Sequence, residues 1–287
     1  MVVSASTLPV RIVDIDDPDD DRVDDFRDLN SVDRRPDLPV LPGGRVGKGL
    51  VIAEGVLVVQ RMVVASRFAP HAFLGVDRRL GEMSSTLPPT DDSAAVPFFR
   101  ASAEVMAEIV GFHLNRGVLG VARRPAELTV EQAIGGASVV AVLEGVNDHE
   151  NIGSIFRNAA GLGVDAVLFG TGCADPLYRR CVRVSMGHAL LVPFAKMPEW
   201  PRELDLLGDN GFRTVSLTPD PAVPLLSEAV DGVEKVAFLV GAEGPGLTAA
   251  AMRASHVRAR IPMSRGTDSL NVATAAAIAF YELARRS

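Results

Sequence analysis

Three segments in the C-terminal half of the chain share one form: an apolar run, a loop that contains glycine, and a helix-like stretch. They begin with "SVVAVLEGV" at Ser138, "VAFLVGAEGPGL" at Val236 and "ARIPMSRGTDSLNVATAAAIAFYE" at Ala259. Apolar runs without alternation are typical of parallel strands that are buried on both faces of a sheet. In an open parallel sheet, ligands bind where the loops after the strands meet. The segments therefore predict an α/β domain with a ligand site at the carboxyl edge of its sheet.

The glycines of the second segment argue against two common nucleotide-binding motifs. Gly241, Gly244 and Gly246 follow the spacing G-x-x-G-x-G, whereas the dinucleotide fingerprint is G-x-G-x-x-G. No Lys-Ser or Lys-Thr pair follows them, as a P-loop requires. An ordinary nucleotide-binding enzyme of doubly wound fold is therefore disfavoured. A tight connection between strand and helix remains the alternative explanation of this loop.

Acidic charge is concentrated near the N-terminus. The whole chain has a net charge of −7, and residues 11–37 contain eleven aspartates against five arginines. Prolines and glycines follow directly, so residues 1–44 are predicted to form a flexible acidic arm. Because most of the acidity lies in this stretch, the net charge neither supports nor excludes a nucleic-acid partner.

Residues 45–125 alternate between strand-like and helix-like segments, which predicts a small α/β domain. The run "LVIAEGVLVVQRMV" has the pattern of a strand followed by a helix, and "RGVLGVARRP" resembles an edge strand that ends at a proline. Residues 126–137 are expected to be a linker to the second domain, residues 138–287.

Several classes of protein are disfavoured by what the sequence lacks. No apolar run approaches the roughly 20 residues of a membrane helix, and no basic region followed by an apolar core suggests a signal peptide. The two cysteines, Cys173 and Cys181, match no zinc-ligand spacing. We therefore expect a cytoplasmic protein with reduced thiols, without a metal site and without a membrane partner.

Together, the three segments resemble the motifs of the SpoU/TrmH family of RNA 2′-O-ribose methyltransferases, within the SPOUT superfamily. "NIGSIFRNAAGLGVDAVLFG" resembles the first motif, "LVGAEGPGL" the second and "IPMSRGTDSLNVATAAAIAFYE" the third. More loosely, residues 45–125 resemble the small substrate-binding domain that often precedes the catalytic domain in this family. The acidic stretch has no counterpart in this resemblance.

The resemblance implies a trefoil-knotted α/β domain with a parallel sheet, preceded by the small α/β domain. It implies S-adenosyl-L-methionine as the cofactor, RNA as the substrate and a homodimer as the assembly, and we favour ribosomal over transfer RNA. By position in the motifs, the residues expected to bind the cofactor are Val240, Gly241, Gly246, Ile261, Met263 and Leu270.

By the same resemblance, Arg157 acts on the ribose 2′-hydroxyl. An arginine stays protonated at neutral pH, so we expect it to orient the hydroxyl and to stabilise developing negative charge rather than to act as a literal base. Glu243 is expected to orient the guanidinium of Arg157, and Asn151, Ser269 and Asn271 to support the site. The alternatives are a surface arginine at 157 and helix-capping roles for Asn151, Glu243 and Asn271.

Arginines outside the motifs are expected to contact RNA phosphates, although each one alone has the alternative of an ordinary solvated charge. In the first domain they are Arg78, Arg79, Arg100, Arg116, Arg123 and Arg124, and in the second they are Arg179, Arg180 and Arg183. A relative that binds RNA but has lost catalysis remains the alternative to a methyltransferase.

Overall fold

A computed structural model describes residues 7–31, 35–40, 44, 46–65, 67–264, 266 and 268–285. Two compact units divide the chain. The first contains the residues up to Ala126 together with Leu177–Leu191, and the second contains Glu127–Pro176 and the residues from Val192 onward.

The described strands are β1 Val10–Asp14, β2 Leu50–Glu54, β3 Pro70–Gly75, β4 Val96–Arg100, β5 Val118–Arg123, β6 Val139–Glu144, β7 Ala166–Phe169, β8 Phe194–Lys196, β9 Arg213–Leu217, β10 Val236–Gly241 and β11 Val257–Ala259. The described α-helices are α1 Val56–Val64, α2 Asp77–Glu82, α3 Ala103–Val110, α4 Val130–Ile134, α5 His149–Gly161, α6 Arg179–Val184, α7 Leu204–Asp209, α8 Leu226–Ala229, α9 Ala249–Ala254 and α10 Val272–Ala284. Two short 3-10 helices span Asp21–Phe26 and His188–Leu190.

The first unit is built on a five-stranded sheet in the order β1-β4-β3-β5-β2. β1, β4 and β3 run parallel, whereas β5 is antiparallel to both β3 and β2. Residues of α3 and of the 3-10 helix Asp21–Phe26 join side chains of β2, β3, β4 and β5 in one apolar cluster. The first unit therefore combines a mixed sheet with helices, and its sheet includes β1, which lies before the range 45–125 of the predicted domain.

The prediction of a flexible arm over residues 1–44 is wrong for the part of it that the structure describes. β1 pairs along its whole length with β4, and Val23 and Phe26 are fully buried. The aspartates beside them remain largely exposed, so the acidic composition concealed a short amphipathic pattern. Residues 1–6, 32–34 and 41–43 of the predicted arm lie outside the described residues.

Two further expectations need correction. β5 is not an edge strand, because it lies between β3 and β2 and its first five residues are buried. The linker predicted over residues 126–137 contains α4, which buries Val130, Ala133 and Ile134 in the core of the second unit. A capping box begins this helix: Thr129 and Gln132 each accept a hydrogen bond from the other's backbone N–H.

The second unit contains a six-stranded sheet in the order β11-β9-β10-β6-β7-β8, and every pair in it is parallel. Side chains of α4 and α7 cover one face. On the other face, Phe156 of α5 stacks on Phe169 of β7, and Phe280 of α10 lies against Phe238 of β10. The α/β fold with a parallel sheet that is covered on both faces is confirmed.

Within the part of the chain that the structure describes, no helix combines the length and apolar character needed to cross a membrane.

Candidate active site

A cavity of about 470 Å³ lies at the carboxyl ends of β9 and β10 in the second unit. Three stretches form its walls: the end of β9, the loop after β10, and the segment that leads into α10. They contribute Leu217, Thr218, Pro219, Val240, Gly241, Ala242, Glu243, Gly244, Gly246, Ile261, Met263, Ser269, Leu270, Asn271, Val272 and Ala275. The predicted location of a ligand site, at the carboxyl edge of the sheet, thus coincides with a cavity.

All six residues that the sequence predicts to bind the cofactor line this cavity, and so do Glu243, Ser269 and Asn271. Asn151 and Arg157 come from α5 and are not part of the lining. Sequence reasoning missed the contribution of β9, namely Leu217, Thr218 and Pro219. The apolar pattern of β9 was recognisable in the sequence. Because neighbouring parallel strands end at the same edge of a sheet, the residues after β9 could have been expected beside the loop after β10.

The loop after β10 needs its glycines for steric reasons. A Cβ atom on Gly241 would lie 2.2 Å from the carbonyl carbon of Gly246 and 2.2 Å from the nitrogen of Leu247. Gly244 and Gly246 have φ angles of +91° and +69°, which favour glycine. The loop therefore folds back so that its own backbone packs on the end of β10, a contact that a side chain at 241 would prevent.

Three of the predicted site residues form one hydrogen-bonded group. Nδ2 of Asn271 donates to Oε1 of Glu243 at 2.6 Å and to Oδ1 of Asn151 at 2.8 Å. Nδ2 of Asn151 donates to the same Oε1 of Glu243 at 3.1 Å. Asn151 is buried, whereas Glu243 and Asn271 are exposed. The second and third motifs and the helix of the first are therefore joined through side chains.

Helix capping was the alternative role for Asn151, Glu243 and Asn271, and the structure shows it for one of the three. α5 is capped by Asp148, whose carboxylate accepts from the nitrogen of Glu150 at 2.8 Å, so Asn151 lies inside the helix. α9 is capped by Thr248 and not by Glu243. Asn271 does cap α10, because its Oδ1 accepts from the nitrogens of the second and third helical residues at 2.9 and 3.2 Å. It combines this role with the contacts to Glu243 and Asn151.

Arg157 is exposed on α5 and makes no hydrogen bond or ion pair with any residue that the structure describes. The expected pair between Glu243 and Arg157 does not form, since Glu243 is engaged by the two asparagine amides instead. Ser269 is exposed in the cavity wall. The pairing of Glu243 with Arg157 that the sequence suggested is therefore wrong, whereas the assignment of these side chains to the site stays a prediction.

A buried carboxylate that sequence reasoning missed holds the far end of the β10 loop. Glu144 ends β6 and is 3% exposed. It accepts hydrogen bonds from Trp200 Nε1 at 2.6 Å, from Thr248 N at 2.8 Å and from Thr248 Oγ1 at 2.9 Å. Thr248 closes the loop and caps α9. The signal was a single acidic residue at the end of an otherwise apolar strand.

The arginines expected to contact RNA are mostly paired within the first unit. Arg78 and Arg79 pair with Glu82, and Arg100 pairs with Asp14 and Asp77. Arg124 donates to the backbone carbonyls of Gly49 and Asp37. Such pairing uses the donors that a phosphate would need, so these four side chains do not form the open phosphate-contacting surface that the sequence suggested. Arg123, by contrast, is exposed.

The model of the SpoU rRNA Methylase family matches residues 138–281. An uncharacterized tRNA/rRNA methyltransferase of Mycobacterium tuberculosis is 66% identical over 278 residues, which are 96% of this chain and 92% of that protein. A 23S rRNA guanosine-2′-O-methyltransferase of Bacillus subtilis is 25% identical over 209 residues, 73% of this chain and 81% of that protein.

Among solved structures, the AdoMet-bound rRNA methyltransferase of Sinorhizobium meliloti is similar, with a TM-score of 0.72 and 21% identity. The match covers 96% of this chain and 98% of that one. At this identity the likeness shows the fold alone.

Proposed function

The chain belongs to the SpoU rRNA Methylase family, and we propose that it transfers a methyl group from S-adenosylmethionine to a ribose 2′-hydroxyl of RNA. The observation that carries the proposal is the cavity at the ends of β9 and β10. Glu243 and Asn271 line this cavity and are hydrogen-bonded to each other. We favour ribosomal RNA as the substrate. The description of the family and the name of the Bacillus subtilis relative both support this choice.

The cavity suits S-adenosylmethionine in size and in chemistry. Its volume lies within the usual range for small-molecule sites. Val240, Ile261 and Leu270 offer apolar walls, and the glycines of the β10 loop expose backbone donors and acceptors. When bound, S-adenosylmethionine supplies an electrophilic methyl group on its sulfonium. With Gly241, Gly246 and Met263, the same wall residues are the proposed cofactor site.

We assign the orientation of the ribose 2′-hydroxyl and of a neighbouring phosphate to Arg157. None of the described residues engages its guanidinium, so the N–H donors are available to RNA. A guanidinium that is hydrogen-bonded to the 2′ oxygen stabilises the negative charge that develops there as the hydroxyl proton leaves. Since arginine stays protonated at neutral pH, the proton of the hydroxyl passes to a phosphate or to water.

Asn151, Glu243 and Asn271 are proposed to position the loops rather than to exchange protons. Their mutual hydrogen bonds hold the β10 loop against the start of α10 and against α5. A site held in one geometry raises the effective concentration of two reactants that must meet in line. Ser269, in the same wall, offers a hydroxyl to either reactant.

The further properties that the family resemblance implies belong to the same proposal. These are the trefoil knot, the cytoplasmic location and the homodimer. In support of the homodimer, α10 exposes Ile278 and Tyr281, three positions apart on one face, while Ala276 and Phe280 are buried beneath it. Light scattering should give twice the monomer mass for the wild type and a smaller mass for Tyr281→Glu.

The test is methyl transfer to unmodified ribosomal RNA, followed by mass-spectrometric mapping of the product. We expect 2′-O-methylation at a defined nucleotide, and an Arg157→Lys variant that binds S-adenosylmethionine normally but transfers slowly, because lysine lacks the planar fork. RNA binding without any transfer would support the inactive relative instead. A wild-type rate in Arg157→Lys would remove the guanidinium from the mechanism.

A further inference from the structure

Three arginines of the first unit surround one buried carboxylate. Glu54, at the end of β2, is 4% exposed. Nη1 of Arg179 lies 2.8 Å from its Oε2, while Nη1 of Arg183 and Nε of Arg116 lie 3.7 and 3.9 Å from its Oε1. One negative charge thus faces three positive ones, and the cluster has an excess of two positive charges.

The three arginines are not equivalent. The side chain of Arg179 is 12% exposed, and its Nη2 also donates to Oδ1 of Asn30 at 3.1 Å. Its guanidinium carbon lies 5.1 Å from the ring centroid of Phe112. Arg116 and Arg183 are 42% and 36% exposed and approach Glu54 only at long range. The charge of Glu54 is therefore taken up mainly by Arg179, which leaves donors on the other two.

Arg116 lies beside the beginning of a helix. Gly55 follows Glu54, has a φ angle of +95° and is the N-cap of α1, where no side chain makes a capping hydrogen bond. A Cβ atom at this position would be 2.9 Å from Cδ of Arg116. Arg116 therefore packs on the backbone at the start of α1, where unpaired N–H groups and the helix dipole also favour an anion.

We propose that Arg116 and Arg183 bind a backbone phosphate of the RNA substrate at the start of α1. Glu54 and Arg179 are positioning residues that hold this pair in place. The inference rests on the proposed function for the identity of the ligand, and it selects two side chains from the predicted set of RNA contacts. Two guanidinium groups that converge on the same carboxylate oxygen present several N–H donors to one tetrahedral oxyanion, a geometry that suits phosphate.

The experiment measures RNA binding in the absence of S-adenosylmethionine, by the anisotropy of a fluorescein-labelled RNA of mixed sequence at several KCl concentrations. The variants are Arg116→Gln, Arg183→Gln and the double variant. For single-stranded RNA, each lost phosphate contact reduces the slope of log K against log [KCl] by about 0.7. Because the two arginines share one phosphate, the double variant should lose about 0.7 of this slope and bind about tenfold more weakly at low salt.

The matched control is Arg22→Gln, an exposed arginine of the same unit whose guanidinium is paired with Asp20. Arg116→Lys/Arg183→Lys is a second control that keeps the charge and should keep the slope. Thermal unfolding and the binding of S-adenosylmethionine, whose proposed site lies in the other unit, check that the variants are folded. If the double glutamine variant does not fold, the two single glutamine variants decide: a slope and an RNA affinity equal to those of the wild type in both would contradict the proposal.

The remaining outcomes separate this inference from the proposed function. An unchanged slope in the folded double variant, an equal loss in Arg22→Gln, or no RNA binding by the wild type would overturn the inference. Saturable binding of inorganic phosphate at matched ionic strength, with RNA binding unaffected by the variants, would assign the pair to a free anion and overturn it too. If the wild type binds RNA, and the double variant shows the predicted loss of slope, but the wild type transfers no methyl group, the proposed function alone would be wrong.

Discussion

Asn271 connects the start of α10 to Glu243 through a single side chain. Its Nδ2 donates to Oε1 of Glu243 at 2.6 Å, while its Oδ1 accepts two backbone N–H groups of the helix. An asparagine has one donor group and one acceptor group, and here the contacts use both. A cap that would be only structural in most helices therefore also fixes the carboxylate in the cavity wall.

Replacement of Asn271 by serine and by alanine should separate its two roles. Serine keeps a capping oxygen, so Asn271→Ala should lose about 1 kcal/mol more unfolding free energy than Asn271→Ser. Both remove the amide that holds Glu243, and both should reduce kcat by at least about tenfold, or roughly 1.4 kcal/mol. Denaturant unfolding and single-turnover methyl transfer measure the two effects. A wild-type rate in Asn271→Ser would mean that the hydrogen bond to Glu243 has no part in catalysis.

Glu144→Gln should weaken cofactor binding, because the buried carboxylate accepts every hydrogen bond it makes to Trp200 and Thr248. A glutamine must turn its NH₂ group toward at least one of these donors, which costs about 1–3 kcal/mol. We expect the unfolding free energy to fall by that amount and the Kd for S-adenosylmethionine to rise about tenfold, since 1.4 kcal/mol is a factor of ten. RNA affinity should stay unchanged.

The control for this variant is Glu199→Gln, which removes an exposed carboxylate next to Trp200 in the sequence. It should leave both the stability and the cofactor affinity as they are. Equal cofactor affinities for the wild type and Glu144→Gln, measured by calorimetry on folded protein, would show that the anchored loop end does not govern the cavity.

Two glycines of one loop should respond differently to alanine. At Gly241 the added Cβ would meet backbone atoms at 2.2 Å, so Gly241→Ala must move the loop and should cost more than about 3 kcal/mol. At Gly244 nothing lies within 4 Å, and the positive φ alone should cost about 1 kcal/mol. Melting temperatures of the two variants test this order. If Gly244→Ala proved the more damaging, the close approach at Gly241 would not be the reason for its glycine.

Much of the second unit could be predicted because its signals are local. Continuous apolar runs indicated buried parallel strands. The resemblance of the loops after them to the family motifs implied six of the residues that line the cavity. The partners of polar side chains were not predictable in this way. Glu243 and Arg157 are far apart in the sequence, and only the packing of α5 against α10 decides that Glu243 meets Asn151 instead.

The first unit was harder to predict for a different reason. Composition is an average over a window, and a stretch rich in aspartate suggests disorder even when its few apolar residues fall at helical or strand spacing. Ile15, Val23 and Phe26 are such residues, and all three are buried. The sequence also could not predict that residues 177–191 belong to the first unit. This depends on contacts between distant residues, such as Arg179 with Glu54, which no local pattern encodes.

The acidic segment should contribute to stability in a pH-dependent manner through Asp25. Burial alone would raise the pKa of this carboxyl group, but hydrogen bonds from Lys48 and His71 lower it overall. A group with a lowered pKa in the folded state stabilises the protein above its unfolded pKa, and this stabilisation is lost as the pH falls through the folded value. Asp25→Asn should therefore reduce the unfolding free energy by about 1 kcal/mol at pH 7, given its partial exposure.

The difference between Asp25→Asn and the wild type should shrink as the pH is lowered from about 5, and it should vanish once Asp25 is protonated in both the folded and the unfolded protein. Denaturant unfolding at a series of pH values measures it. Asp19→Asn is the control, since that carboxylate is 95% exposed and 3.8 Å from its arginine partner, and it should have little effect at any pH. A gap for Asp25→Asn that stays constant from pH 7 to pH 2 would mean that lost packing, and not the ionised carboxylate, explains the change.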